Sequence, residues 1–339
     1  MFKKVAWALP LLLGSSMVMA HGDIDRKYDP SQIHTPQILD HVVGPTRVIT
    51  SPGPMNETKV VVKLLRNKDG LQVEQVIETP DLEINCDLKS GSSRMTNKYF
   101  QIKQQSVYEI QGPIECGSTN TWIFDAESIE GQVMGIHDLS IKAVRQFKNM
   151  GLIKFWKKKI TMRWPSDGDY YNWNTVNITR GDHWDVVGHE IGHAIYAQAK
   201  IGRSEGGRHR IDECYTGTLA LSEGWASFFS AWLSIDLKDS DAKFEFMVPR
   251  RAPLTIESIP SDVCKGPTNE WRVTGFLWDI IDHSYDGESS QEAFSKIWKI
   301  TLNQKFRDIG KLANELTKSI DPMLVKILWE KNFLTDFKQ

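Results

Sequence analysis

The interpretation of this chain depends on the segment between residues 182 and 194, which reads DHWDVVGHEIGHA. His189 and His193 are four residues apart, so on a helix their imidazoles lie on one face, about one turn apart. That spacing lets both rings reach one tetrahedral zinc ion, and Glu190 is placed to hold a water beside the metal. The sequence therefore predicts a zinc site on a helix.

The residues around this segment favour a helix. Asp182 is a suitable N-cap, and Gly202 follows the expected end of the helix. Asp185, in the first turn, is expected to cap or charge the start of the helix.

A second segment supplies a third candidate ligand. Residues 221–233 read LSEGWASFFSAWL, which is apolar nearly all round, and we expect a buried helix. Glu223 is its single carboxylate, and burying it without a partner charge would be costly. A zinc ion held by His189, His193 and Glu223 supplies that charge and keeps a fourth position open, as in catalytic zinc sites. The alternative role for Glu223 is a salt bridge or a carboxylate at the start of the helix.

The two segments together resemble the gluzincin metallopeptidases, in which H-E-x-x-H is followed by a Glu on a second helix. Residues 185–194 resemble the zinc helix of thermolysin-like neutral proteases. Residues 223–225 resemble the third-ligand helix of fungalysins and, more loosely, that of the one-zinc aminopeptidases. The resemblance covers roughly residues 135–285.

The resemblance implies a zinc-dependent (Zn²⁺) peptidase with a fold of two lobes. His189, His193 and Glu223 would be the metal ligands, and Glu190 would be the general base. The upper lobe would carry an edge strand that pairs with a peptide or protein substrate, and the lower lobe would be helical.

The chain also departs from the thermolysin-like pattern. The second histidine and the third ligand are 30 residues apart, which predicts a loop-rich insertion at residues 202–219. Where those enzymes have an Asp four residues after the Glu ligand, this chain has Ser227. The hydrogen-bond partner of a zinc-bound histidine is then expected from elsewhere, with Glu270 and Asp279 as candidates.

The group that stabilises the oxyanion is the least defined part of the expected site. Gluzincins use a Tyr or a His to donate a hydrogen bond to the developing oxyanion. The candidates here are Tyr215, His209, Arg272 and His283.

The N-terminal residues predict export. Lys3 and Lys4 precede an apolar stretch at residues 5–13, and Val18 and Ala20 fit a cleavage site. This is the pattern of a signal peptide, so we expect a secreted or periplasmic protein that begins near His21. No later segment has about 18 uninterrupted apolar residues, so no membrane span is expected.

The mature chain carries four cysteines, an even number that suggests disulfides in an exported protein. Four cysteines allow three pairings. Proximity favours Cys86 with Cys116 and Cys214 with Cys264, because each pair then lies within one domain.

The hydrophobic pattern predicts an α+β protein. Residues 1–20 form the signal peptide, and residues 21–130 a small β-rich accessory domain that could be a scaffold, a binding module or an inhibitory pro-segment. The resemblance to gluzincins implies that residues 131–339 form a two-lobed, zincin-like metallopeptidase domain with a helical C-terminal lobe. Within it, Thr175–Ile178 is expected to be an edge strand.

The composition is that of a globular protein, with 25% charged and 40% hydrophobic residues and a net charge of -2. No global field points to nucleic acid. Two alternatives to a peptidase remain. One is a non-catalytic exported binding protein stabilised by zinc, with His183, His209 or a reduced Cys214 as fourth ligand. The other is a zinc hydrolase of cell-wall peptides. The oligomeric state is left open.

Overall fold

The structure, a computed structural model of the 339-residue chain, describes residues 58–68, 71–282 and 290–338. The predicted signal peptide, the segment that follows it to residue 57, and His283 lie outside the described residues. Strands dominate residues 59–125 and helices dominate the chain after residue 183. The protein is therefore of the α+β class, as the sequence predicts.

Seven short strands form the first region. They are β1 (Lys59–Lys68), β2 (Leu71–Ile77), β3 (Glu83–Asn85), β4 (Ser90–Arg94), β5 (Phe100–Lys103), β6 (Glu109–Pro113) and β7 (Thr119–Asp125). Val62 and Leu64 alternate on one face of β1 and are fully buried. β1 pairs antiparallel with β2 in a hairpin, and it pairs parallel with β7. A second sheet, β3-β4-β6, has the Cys86–Cys116 disulfide beside it.

A third sheet lies next to the helices that carry the site. Its further strands are β8 (Ile160–Arg163), β9 (Tyr170–Asn172) and β10 (Thr175–Asn177), in the order β5-β8-β10-β9. The prediction of Thr175–Ile178 as an edge strand is wrong, because β10 lies between β8 and β9. Trp173 and Asn174 have positive φ angles of 46° and 65°, which allow the tight turn that folds β10 back onto β9. The edge strand at this end of the sheet is therefore β9, and β5 is at the other end.

This third sheet crosses the expected domain boundary at residue 130. β5 comes from the N-terminal region, and it pairs parallel with β8 from the following region. The division at residue 130 therefore does not separate the sheets, although it falls close to the start of the first helix.

The helices follow in chain order. They are α1 (Ile129–Asn149), α2 (Trp184–Ala199), α3 (Gly217–Ser234), α4 (Glu270–Asp282), α5 (Ser290–Thr301), α6 (Ile309–Leu316) and α7 (Pro322–Phe333). A two-stranded ribbon, β11 (Lys243–Phe244) with β12 (Leu254–Thr255), connects α3 to α4. Asp321 caps α7 by accepting from the Met323 N–H, with Pro322 in the first turn.

α2 and α3 pack in opposite directions at close range. Gly188 lies against Ser230 and Gly192 lies against Ala226, so the pairing runs backwards along α3. A Cβ atom at Gly192 would lie 2.8 Å from the Ala226 Cα, so only glycine permits this approach. The packing brings residues 189–193 of α2 opposite residues 223–227 of α3.

An aromatic cluster holds α3 against the rest of the core. Trp232 on α3 stacks on Phe294 on α5 with ring centroids 3.7 Å apart, and Phe147 on α1 contacts Trp298 on α5 at 4.7 Å. Residues 219–233 of α3 are all buried, as expected for a helix that is apolar all round.

The second disulfide joins Cys214, just before α3, to Cys264, just before α4. Both expected cysteine pairings are therefore confirmed. In the described part of the chain, no helix has the length and apolar character needed to span a membrane.

Candidate metal and catalytic site

The helix with the H-E-x-x-H sequence begins later than expected. Asp182 lies before the helix and accepts two hydrogen bonds of 2.8 Å from the Arg180 guanidinium. The N-cap position belongs to His183, whose ring stacks on Phe246. The prediction of Asp182 as N-cap is therefore wrong, because a neighbouring arginine holds its carboxylate.

Asp185 fixes the first turn of α2. Its fully buried carboxylate accepts the N–H of Val186 and the successive N–H groups of Glu245, Phe246 and Met247, at 2.7–3.0 Å. Burial raises the pKa of Asp185 to about 6, although the four N–H groups act to lower it. The carboxylate thus ties the segment after β11 to the start of the helix.

Three side chains converge on one point between α2 and α3. Glu223 Oε2 lies 3.2 Å from His189 Nε2 and 3.0 Å from His193 Nε2. All three residues are buried, with 0–3% of their surface exposed. The histidines share a face of α2 because they are four residues apart, and the antiparallel packing places Glu223 opposite them.

The protonation states of this cluster suit a cation. Burial lowers the pKa of His189 to about 4, against the opposing effect of Glu223. Burial acts to raise the pKa of Glu223, but the nearby histidines, above all His193, outweigh it and hold that pKa well below its usual range. Near neutral pH the site therefore offers a neutral imidazole and an ionised carboxylate, the forms in which these groups bind metals.

Ser227 provides the hydrogen-bond partner that was expected from elsewhere. Its Oγ lies 3.0 Å from His189 Nδ1, and it donates to the Met247 Sδ at 3.7 Å. Serine is shorter than aspartate, but the close packing of α2 on α3 brings its hydroxyl within reach. Met247 belongs to the segment that Asp185 anchors, so this segment contacts Ser227.

The two carboxylates considered for that role have other partners. Asp279 accepts hydrogen bonds from Lys331 at 2.9 Å and from Asn332 at 2.6 Å, both on α7. Glu270 Oε2 lies 2.8 Å from the Nδ1 of His209. Neither is the partner of His189, and Glu270 instead supports a third histidine at the site.

Glu190 is buried next to the two histidines on α2. Its Oε2 has no hydrogen-bond partner among the described residues. Burial raises its pKa well above the usual range, and the negative charges of Asp169 and Glu223 act in the same direction. Asp169 is held by Thr179, through the backbone N–H at 2.7 Å and the hydroxyl at 2.8 Å. A buried carboxylate oxygen without a protein donor is suited to accept a proton from a bound water.

Two of the candidates for the oxyanion-stabilising group have hydrogen-bond partners away from the cluster. Arg272 donates to the carbonyl oxygens of Cys264, Val263 and Asn332 and holds the chain around α4. The hydroxyl of Tyr215 accepts from the Arg210 N–H and donates to Glu213. Neither is directed at the cluster.

His209 is different. It is buried, and its Nε2 lies 3.9 Å from Glu223 Oε2. Among the candidate oxyanion donors that the structure describes, His209 is the one with a described contact to a candidate ligand, which is Glu223.

The residues considered as a fourth protein ligand lie outside the cluster of His189, His193 and Glu223. The Cys214 sulfur is bonded to that of Cys264, and the His183 ring stacks on the Phe246 ring with centroids 4.4 Å apart. Among the described residues, His209 groups with Glu223 and Glu270, whereas the two α2 histidines group with Glu223. His209 therefore stands beside the three-residue cluster and is not one of its members.

Three functional neighbours were missed by sequence reasoning. Ser227 was noted only as a replacement for Asp, while Asp169 and Met247 were not considered. Asp169 directly precedes the edge strand β9. Only this position could have marked it in the sequence as a residue near the site. The sequence analysis placed the edge strand at Thr175–Ile178 instead.

A known protein family matches part of the chain. Residues 152–318 match the family described as the mycolysin C-terminal domain. The matched stretch contains α2 with its H-E-x-x-H sequence and α3 with Glu223. No curated protein matches the chain. Over about half of its length, this chain is therefore similar to the mycolysin C-terminal domain.

Proposed function

We propose that the chain is a secreted or periplasmic zinc metallopeptidase that hydrolyses peptide bonds with Glu190 as the general base. The observation that carries this proposal is the convergence of His189, His193 and Glu223 on one point, with Glu190 buried beside them. Similarity to the mycolysin C-terminal domain supports peptidase chemistry. The two disulfides support an oxidising compartment outside the cytoplasm.

The donor set fits zinc. Two imidazole nitrogens and one carboxylate oxygen are the ligands of many catalytic zinc sites, with bonds of about 2.0–2.2 Å. A tetrahedral ion with such bonds separates its ligand atoms by about 3.3 Å. The distances from Glu223 Oε2 to the two histidine nitrogens, 3.2 and 3.0 Å, are close to that spacing.

The reaction follows from the positions of the side chains. His189, His193 and Glu223 would hold the zinc ion, which would supply a Lewis acid for the scissile carbonyl and for the attacking water. Glu190 takes the proton of that water at Oε2 and delivers it to the leaving nitrogen. Ser227 keeps the His189 ring in place by accepting from Nδ1.

His209 is suited to hold the oxyanion. In this proposal His209 acts in its doubly protonated form, with the Glu270 carboxylate 2.8 Å from Nδ1. Nε2 then faces the cluster as a donor, 3.9 Å from Glu223 Oε2. A preorganised donor in a buried site can stabilise the developing negative charge of the substrate oxygen.

The edge strand β9 provides a place for the peptide backbone. β9 pairs with β10 on one side, and in the sheet order its other side is an edge. An extended peptide can add to such an edge through backbone hydrogen bonds. Because Asp169 directly precedes β9 and its charge acts on Glu190, the edge begins close to the proposed base.

The two lobes that the sequence analysis expects are part of this proposal. The sheet β5-β8-β10-β9 with α1 and α2 would form the upper lobe, and α3 to α7 the lower lobe. Because β5 belongs to this sheet, removal of residues 21–130 would take a strand out of the upper lobe. This favours a scaffold role for the N-terminal region over a pro-segment that is cleaved away.

The principal rival is an exported protein that uses zinc only for stability. It needs a closed site with four protein ligands. His209 is the one described residue in a position to move toward that role, since its Nε2 lies 3.9 Å from Glu223. Its contact with Glu270 on the opposite nitrogen suits either role, so measurement decides between them.

The test is cleavage of a diverse peptide library by the purified mature protein, read by mass spectrometry. Cleavage that a chelator abolishes and zinc restores is the expected result. Casein and cell-wall peptides, offered in parallel, distinguish a protein-degrading enzyme from a cell-wall hydrolase. Stoichiometric zinc without cleavage of any substrate would support the rival instead.

A further inference from the structure

A pocket of about 770 Å³ opens at the end of α2, beside the first turn of α3 and the segment before α6. It is distinct from the cluster of metal ligands. We call it the basic pocket, because cationic side chains dominate its lining. Its charged lining residues are Lys200, Arg203, Lys305, Arg307 and Glu205.

The positive charges of this pocket are available to a ligand. All four cationic residues are exposed, and no ion pair joins any of them to another described residue. The single carboxylate, that of Glu205, accepts a hydrogen bond from the Thr216 hydroxyl. Nearby, Asp308 caps α6 by accepting from the Lys311 N–H. The pocket is therefore strongly cationic in a chain whose net charge is -2.

The backbone fixes the arrangement of the pocket. The Lys305 N–H donates to the Lys200 carbonyl at 3.1 Å, and the Phe306 N–H donates to the Ile201 carbonyl at 2.7 Å. These bonds hold the segment before α6 against the end of α2. The backbones that carry Lys200 and Lys305 are thus held together by the fold.

The pocket is close to the proposed catalytic residues. Ala197, which lines it, follows His193 by four residues and lies on the same face of α2, about 6 Å further along the helix. Thr218, on its other side, precedes Glu223 by five residues, about 7–8 Å along α3. The loop that begins in the pocket at Arg203 leads directly to His209. Measured along either helix, the pocket therefore lies within the length of a short peptide from the candidate ligands.

We propose that the basic pocket binds acidic side chains of the peptide substrate, so that the enzyme prefers substrates with a cluster of Glu or Asp a few residues from the cleaved bond. This inference rests on the proposed function. A volume of about 770 Å³ is far larger than a single small anion requires and falls within the range of ligand pockets. The lining has no aromatic side chain on which bases could stack, so a peptide fits better than a single-stranded nucleic acid.

The first measurement compares three matched peptides derived from a substrate found in the library screen. They carry three Glu, three Gln or three Lys at the same positions, on either side of the cleaved bond in separate sets. The expected kcat/KM at low salt is about tenfold higher for the Glu peptide than for the Gln peptide, the size that three exposed ion pairs allow. High salt should reduce this ratio toward one.

The pocket variant is Arg203→Gln, Lys305→Gln and Arg307→Gln together, and it should bring the ratio close to one. The matched control is Lys89→Gln, Arg94→Gln and Lys299→Gln, which removes the same charge from exposed residues elsewhere. The control should keep the preference for the Glu peptide. Equal rates for the Glu and Gln peptides in the wild type, or equal loss of preference in both variants, would overturn the proposal.

A binding measurement keeps the test independent of catalysis. Labelled peptides with three Glu or three Gln in an otherwise identical uncharged sequence, which need not be substrates, are titrated with Glu190→Gln protein, with and without the pocket substitutions, and followed by fluorescence anisotropy. The Glu peptide should bind about tenfold more tightly, and the pocket substitutions should abolish the difference. If no peptide is cleaved, the proposed function fails. The binding comparison still tests whether the basic pocket binds acidic peptides. A duplex oligonucleotide that binds more tightly than the Glu peptide, through the same three residues, would overturn the assignment to a peptide.

Discussion

Replacing Ser227 by alanine should weaken zinc binding while the protein stays folded. When Nε2 of His189 binds a metal, Nδ1 carries the ring proton, and the Ser227 hydroxyl 3.0 Å away accepts it. Both residues are buried, and the loss of a buried hydrogen bond costs about 1–3 kcal/mol. We therefore expect zinc affinity to fall by about 10–100-fold, as for other partners of metal-bound histidines.

The assay is competition for zinc with a chromophoric chelator, combined with thermal unfolding of the metal-free protein. Ser222→Ala is the matched control, because Ser222 is buried on the same helix and its hydroxyl has no partner among the described residues. Its zinc affinity should equal that of the wild type. Equal affinities for Ser227→Ala and Ser222→Ala would refute the role given to the serine.

Replacing His209 by glutamine should lower kcat by about 10²–10³-fold at unchanged zinc content, because one donor to the oxyanion is lost; hydrolysis and metal analysis of the same sample check this, and loss of zinc would instead make His209 a ligand. Burial lowers the pKa of His137 from 6.5 to about 4, so between these values the unfolded chain binds the additional proton. The free energy of unfolding should therefore fall by about 3 kcal/mol as the pH drops through this window. Denaturant titrations should show a smaller fall for His137→Leu, and parallel pH profiles would contradict it. Replacing Cys214 and Cys264 by alanine removes a cross-link between residues 50 apart and should lower the free energy of unfolding by about 4 kcal/mol in denaturant titrations, whereas an unchanged midpoint would count against it.

The sequence predicts the centre of the candidate site well because helical spacing encodes it. Two histidines four residues apart must share a face of their helix. A lone Glu in a helix that is apolar all round requires a partner charge wherever that helix is buried. Neither inference needs knowledge of the tertiary arrangement, and the structure brings His189, His193 and Glu223 together.

The supporting residues depend on distances between helices, which a single sequence does not contain. The expectation that Ser227 leaves the histidine without a partner assumed an ordinary helix separation. Gly192 allows α2 to approach the backbone of α3 at Ala226, and at that range a serine is long enough. In the same way, Glu270 was assigned to the wrong histidine because the loop that carries His209 has no periodic pattern.

The order of the strands in the sheets is the other feature that the sequence does not predict. An alternating pattern indicates a strand and its buried face, but it does not name the neighbours of that strand. The parallel pairing of β1 with β7 and of β5 with β8 connects segments that are distant in sequence. The turn at Trp173 and Asn174 lacks the glycine that usually marks a tight hairpin, so β10 was taken for an edge.

The most direct test of the central claim is the turnover of Glu190→Gln, with zinc measured on the same sample. Glutamine keeps the size of the side chain and has nearly the same helix propensity. Glu190 is not among the three proposed ligands, so zinc content should stay near one ion per chain. Turnover of a peptide from the library screen should fall by about 10²–10⁴-fold, the contribution of a general base. Turnover near that of the wild type at full zinc occupancy would contradict the account.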